Sequence, residues 1–441
     1  VEVSTADRGG VLALMGSGET SPTMVTLHRE LVAHLDQSPP GVILETPYGF
    51  QVNAADISHR ARVYFKRSVG LETTVAVDPD LGALAATDLD PHRMLDLVRA
   101  AHWVFAGPGS PSYALARWNA VSLGEILTER IRRGRGVTVM ASAAACTVGR
   151  AALPVYEIYK AGHAPCWLEG LDLLGELGLP VAVIPHYDNA EGGTHDTRYC
   201  YLGEPRLAAL ERDLPADCAV LGIDEHTAVL FDLTRAQVRV WGHGVMTIRR
   251  LGVSTLIPAG TALPLEQLRA LVHGTATVEP AEQATAPAPR APGASTDEGR
   301  ATLQEAVASA EQRFNAALAL ADGAAMVEAI LDLESTIAAW AGDTEEDQGT
   351  TWARTVLRAM IGRLGEPAGR GLVEPERTVR TLAPPIVELR RRLRAQGAYE
   401  LADHLRGILT ACGIELRDAD GATQWLLTTD RLPTGQGEPP R

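Results

Sequence analysis

The stretch V-T-V-M-A-S-A-A-A-C-T-V-G, residues 137–149, decides the fold. A β-rich run from Val137 to Met140 stops at Ser142, and only small residues follow it for several positions. This pattern predicts a strand that turns sharply into a helix and leaves a serine exposed at the strand's carboxyl end, the geometry by which hydrolases present a nucleophile beside backbone N–H groups. Small neighbours let the turn bring backbone segments close together. Met140 and Ala144 stand two before and two after the serine, where such elbows usually carry glycine. A buried parallel strand entering an Ala-rich helix would use the same residues.

Outward from this stretch, residues 10–250 alternate short β-branched runs with helical segments. Candidate strands lie at 11–15, 41–45, 73–77, 103–106, 137–141, 181–185 and 219–223, with helical stretches such as 22–35 and 124–133 between the early ones. Alternation of this kind implies parallel βαβ units and a sheet covered on both faces. Near 227–233, 238–241 and 245–249 the period shortens to strand, turn, strand, which reads as antiparallel strands closing the sheet. The predicted class is α/β, a mainly parallel three-layer sandwich spanning 9–259. Residues 260–300 read as a linker, richest in Pro, Ala and Thr from 274 onward. Beyond it, helical spacing returns at 302–321, 324–341, 351–364, 384–396 and 398–412, so 301–428 is expected to be an all-α bundle and 429–441 a tail.

The chain has 441 residues, enough for two or three domains. Its net charge of −15 argues against general nucleic-acid or anionic-membrane binding. Lysine occurs only at 66 and 160, so arginine carries the positive charge. No apolar run is long enough to span a membrane, and the first ten residues lack the basic and apolar regions of a signal peptide. The five cysteines, at 146, 166, 200, 218 and 412, show no C-x-x-C spacing and suit reduced thiols in a cytoplasm. Cytoplasmic location, no membrane partner and no cofactor are the expectations. A homo-oligomer is compatible with them.

In a doubly wound sheet, ligands bind beyond the carboxyl ends of the strands. Three segments should converge there: Ser142, the loop G-P-G-S-P-S-Y (107–113), and I-P-H-Y-D (184–188), where His186 directly follows a strand. A Gly/Pro loop after a strand can aim N–H groups at a developing oxyanion. His186, Asp188, His195, Asp196 and Cys200 are donor-rich enough to raise zinc, but they lack helical H-x-x-x-H spacing and flank a G-G pair. No metal is expected. The segment 189–202 reads better as a wall of the substrate pocket, with Asp188 and Arg198 facing ligand and Arg198 a candidate carboxylate clamp. Asp224 and Glu225 read as residues that hold the loop after a strand.

Five motifs in order, G-S-G-E (16–19), G-P-G-S (107–110), the Ser142 elbow, P-H-Y-D (185–188) and L-G-I-D-E-H-T-A (221–228), make residues 9–250 resemble the dipeptidase E and cyanophycinase family of serine peptidases. That family's fold is related to class I glutamine amidotransferases. The resemblance implies a nucleophile at Ser142, a base at His186, and an acidic partner about fifteen residues after the serine, which matches Glu157. It also implies an oxyanion held by the N–H groups of Gly109 and Ala143, and small peptide substrates, acidic or aspartyl in character.

The end of the chain, L-A-D-H-L-R-G-I-L-T-A-C-G-I-E-L-R-D-A-D-G-A-T-Q-W (401–425), is similar to the C-terminal end of cysteinyl-tRNA synthetases. The synthetase's H-I-G-H and K-M-S-K-S signatures are absent, so aminoacylation is not implied. The basic run R-R-R-L-R (390–394) could meet phosphates, although such a run is more often a solvated face. The leading expectation is therefore a serine hydrolase with a Ser142–His186–Glu157 triad that cleaves peptide or isopeptide bonds through an acyl-enzyme. The alternative is a catalytically inert scaffold that binds tRNA or a protein partner through 301–428.

Overall fold

The computed structural model describes residues 9–35, 41–77, 91–190, 195–276, 301–320, 322–343, 347–371, 375–419 and 422–427. The chain is α/β, and its strands form two large sheets. The first sheet uses β1 (Val11–Met15), β2 (Gly41–Leu44), β3 (Thr73–Ala76), β4 (Trp103–Ala106) and β5 (Val137–Ala141). The second uses β6 (Ala151–Ala152), β7 (Leu168–Glu169), β8 (Val181–Ile184) and β9 (Ala219–Ile223). Then β10 (Thr227–Asp232), β11 (Gln237–Gly242) and β14 (Ala262–Pro264) extend the first sheet, while β12 (Val245–Arg250) and β13 (Val253–Pro258) extend the second.

The first sheet runs β14-β11-β10-β1-β5-β4-β2-β3 and the second β13-β12-β9-β8-β6-β7. Parallel pairs fill the first sheet from β1 to β3 and the centre of the second. Antiparallel pairs form the margins. The single closed sheet expected from the sequence is thus two sheets. The antiparallel strands divide between them because β10 returns to β1 while β12 returns to β9.

Strand periodicity explains the packing. Side chains alternate between faces every second residue. On β1, Leu12 and Leu14 enter one core with Val104, Ala106 and Met140, whereas Val11, Ala13 and Met15 enter another with Trp103, Phe105 and Val139. The first core also holds Val181, Val183, Leu221 and Ile248 of the second sheet, so one contiguous apolar interior serves both.

The predicted boundary at 259 moves. Strand β14 pairs with β11, and the helix Leu265–Val272 buries Leu265, Leu268, Leu271 and Val272 in the shared core. Of the proposed linker, residues 277–300 lie outside the described residues, as does the proposed tail at 429–441.

The chain divides into two compact units: Val1–Gln312 with Leu331–Leu357, and Arg313–Ile330 with Arg358–Arg441. The expected bundle at 301–428 is therefore not one body. Residues 331–357 belong with the α/β unit because Trp340 and Asp343 are buried there, against His226, Thr20 and Arg60. In the second unit, helices Pro375–Ala395 and Tyr399–Ala411 meet an antiparallel hairpin, β15 (Ile414–Ala419) and β16 (Ala422–Leu427), around Val387, Leu409, Ile414 and Leu416. This hairpin corrects the all-α expectation. In the basic run Arg390 is buried, while the exposed Arg391 and Arg392 both bond Glu388.

One buried residue links the core to the loop after β1. His28 sits on the helix Val25–Ala33 among Tyr64, Phe65, Trp103 and Phe105. Burial pushes its pKa down from 6.5 to about 4, against the opposing effect of its bond to Glu19. The neutral imidazole donates Nε2–H to the Glu19 carbonyl at 2.7 Å. The unfolded chain binds this proton below about 6.5 and the folded chain only below about 4. Stability from this site is therefore present above 6.5 and is lost as pH falls through the window to about 4. Accordingly, acidification from pH 7 to 4.5 should lower the melting temperature of the wild-type protein by more than that of His28→Gln. Parallel curves for the two proteins would show that His28 does not titrate in this way.

Candidate active site

The site forms where β1, β5, β8 and β9 end. Ser142 follows β5 with φ 46° and ψ −119°, a conformation strained for any residue with a side chain. Two backbone bonds fix this elbow: Ser142 N–H donates to the Met15 carbonyl at 3.0 Å, and Ala144 N–H donates to the Gly107 carbonyl at 3.2 Å. The helix Ala143–Thr147 that follows is wholly buried, so small side chains are required there. Ala144 fits in place of glycine because its φ is not positive and its methyl joins the main core, which Met140 also enters.

Ser142 Oγ lies 2.9 Å from His186 Nε2. His186 follows β8, also with a positive φ of 47°, and its N–H donates to the Gly16 carbonyl at 3.3 Å. Its other ring nitrogen, Nδ1, lies 3.1 Å from Glu225 Oε1. Glu225 is in the short turn between β9 and β10. Its Oε1 also accepts from Asn189 Nδ2 at 3.1 Å, and its backbone N–H donates to Asp188 Oδ1 at 2.7 Å. Burial alone would raise the Glu225 pKa. Hydrogen bonds from His186 and Asn189, with the charges of His186 and His226, outweigh burial and hold it below the ordinary carboxylate range.

Three expectations are corrected. Glu157 does not meet His186: its Oε1 accepts from Ser112 Oγ on the helix Pro111–Ala120, and Ser112 in turn contacts Ser110. The carboxylate on the imidazole is Glu225, because β9 lies beside β8 in the sheet and their carboxyl ends are adjacent. Arg198 is no open clamp, since its guanidinium makes two 2.9 Å bonds to Asp196. Asp188 braces the backbone of Glu225. The signal for Glu225 was available in the sequence: an acid placed directly after a strand, in D-E-H, at the same end of the sheet as His186.

The loop 107–110 abuts the elbow. Gly109 has φ 137°, and a Cβ there would lie 2.0 Å from the Pro47 carbonyl oxygen, so only glycine fits. Ala143 opens its helix and has no carbonyl one turn back to take its N–H. Among the described residues, no group of three or more His, Cys, Asp or Glu side chains is gathered as a metal ion would require. No helix among them is long and apolar enough to cross a membrane.

The chain matches no family model and no curated protein. It is similar to the crystal structure of a peptidase from an acI-B1 Actinobacterium, with 19% identity, 58% of this chain and 97% of that one covered, and a TM-score of 0.44. It is also similar to the crystal structure of a putative peptidase E protein from Listeria monocytogenes EGD-e, with 14% identity, 54% and 100% covered, and a TM-score of 0.36.

Beside Glu225, burial pushes the Asp224 pKa up from 3.8 to about 7. Asp188 and Glu225 add to the rise, and the Val245 N–H opposes it. The folded chain thus keeps a proton that the unfolded chain releases above 3.8. Stability from this site is full below that pH and is lost as pH rises to about 7. Asp224→Asn keeps an acceptor for Val245 and removes the titration. Its melting temperature relative to wild type should therefore climb between pH 4 and 7.5, and a difference that stays constant across this range would contradict the assignment.

Proposed function

We propose that the protein is a serine hydrolase that cleaves a peptide or isopeptide bond through an acyl-enzyme. The observation that carries this reading is the continuous relay from Ser142 Oγ through His186 to Glu225 Oε1, with contacts of 2.9 and 3.1 Å. In that relay His186 takes the Ser142 proton at Nε2 as Oγ adds to the substrate carbonyl. Glu225 accepts the Nδ1–H, fixes the tautomer and stabilises the imidazolium. The N–H groups of Gly109 and Ala143 receive the oxyanion. Collapse of the tetrahedral adduct breaks the C–N bond, and His186 gives its proton to the departing amine. Water, deprotonated by His186, then releases the acid and restores Ser142.

The substrate class rests on the five motifs shared with dipeptidase E and cyanophycinase. An aspartyl dipeptide and a β-linked aspartyl peptide are the first substrates to assay. Ser142→Ala should reduce turnover to background. Glu225→Gln should lower kcat by about 10⁴-fold, the scale seen when the acid of such a triad is neutralised. Glu157→Gln, which keeps an acceptor for Ser112, should lose far less. Unaltered turnover by Ser142→Ala, or the reverse ranking of the two glutamate variants, would overturn the mechanism.

A further inference from the structure

Residues 331–357 return to the α/β unit 67 positions after the end of its last strand, β14 (Ala262–Pro264), and they bury two side chains there. Trp340 and Asp343 are each only 2% exposed. The Trp340 ring stands edge-on to the His226 imidazole, with centroids 5.7 Å apart and planes at 82°. Asp343 Oδ1 accepts from Thr20 Oγ1 at 3.0 Å, and the Asp343 carbonyl accepts from Arg60 Nη1 at 3.0 Å.

Both contacts fall on the support of Glu225. His226 is the next residue in the turn, held at φ 50°, a left-handed conformation that needs outside support. Its N–H donates to Ser17 Oγ at 3.2 Å, and its Nδ1 lies 3.1 Å from Thr23 Oγ1. Thr23 Oγ1 is 2.5 Å from Ser21 Oγ, one residue from the Thr20 that Asp343 grips. The same loop supplies the Gly16 carbonyl that accepts the His186 N–H. Residues 16–24 and the turn 224–227 are therefore clamped together from outside by Trp340 and Asp343.

We propose that Trp340 is a positioning residue of the catalytic site: by packing on His226 it holds the turn that places Glu225 on His186. This inference rests on the hydrolase reading above. It makes the segment beyond the linker part of the catalytic apparatus, because it supplies rigidity to a strained turn. Trp340 touches neither the substrate nor the reacting atoms in this role. Its loss should therefore slow chemistry at Ser142 and leave initial binding nearly unchanged.

The experiment is fluorophosphonate labelling of the full-length chain, with the maximal inactivation rate separated from the half-saturating concentration. Trp340→Ala should lower the maximal rate by about 10- to 100-fold, the scale of a misplaced catalytic group, with the half-saturating concentration shifted less than about twofold. Trp340→Phe keeps an edge-on ring and should restore most of the rate. Trp340→Leu keeps the apolar bulk and carries the test if the alanine variant does not fold; it should show the same slowing. A wild-type maximal rate in Trp340→Ala or Trp340→Leu would overturn the proposal, as would a change confined to the half-saturating concentration. Ser142→Ala separates the two claims. Labelling that persists in it defeats the hydrolase reading itself, whereas labelling abolished there and normal in the Trp340 variants defeats only the positioning role.

Discussion

The structure turns on one strained residue. Ser142 is held at φ 46° and ψ −119° at the end of a central strand, a conformation that costs about 1–3 kcal/mol and persists only where the surroundings over-determine it. Those surroundings are specific. Met15 on the neighbouring strand takes the Ser142 N–H, and Gly107 takes that of Ala144. The buried run Ala143–Ala144–Ala145–Cys146 leaves no room to relax. The same two bonds draw the end of β1 and the loop after β4 against the elbow, so the strain that exposes the serine also assembles its neighbours.

Sheet adjacency then completes the site. β8 and β9 run side by side in parallel, and the residues that follow them are His186 and, one turn on, Glu225. Each is held by backbone as well as side-chain bonds. His186 rests on Gly16, and Glu225 on Asp188 and Asn189. A carboxylate kept ionised against its burial needs such partners. The crowding of Asp188, Asp224 and Glu225 is tolerated because Asp224 retains a proton up to about pH 7.

Much of this was legible in the sequence. The strands around 11–15, 103–106, 137–141, 181–185 and 219–223 showed as β-branched runs, and Ser142 and His186 stood directly after two of them. The acid is misplaced because the family resemblance points to Glu157, which lies on the helix Val155–Tyr159 and bonds Ser112, whereas the D-E-H signal directly after a strand reads as a loop anchor. Both β6 and β9 flank β8, but Glu225 stands two residues beyond the end of β9, whereas the chain after β6 enters a helix before it reaches Glu157. Strands β6 and β7 were missed because two-residue strands carry no readable alternation. The return of 331–357 to the α/β unit was also invisible. Trp340 and Asp343 reach their partners across some 100 and 300 positions of sequence respectively, where periodicity says nothing about packing.

The most direct measurement is peptide mapping by mass spectrometry of the wild-type protein after exposure to a fluorophosphonate. One adduct is expected, on the hydroxyl of Ser142, abolished when His186 is replaced by alanine. An adduct on another residue, or none at all on folded protein, would contradict the serine mechanism.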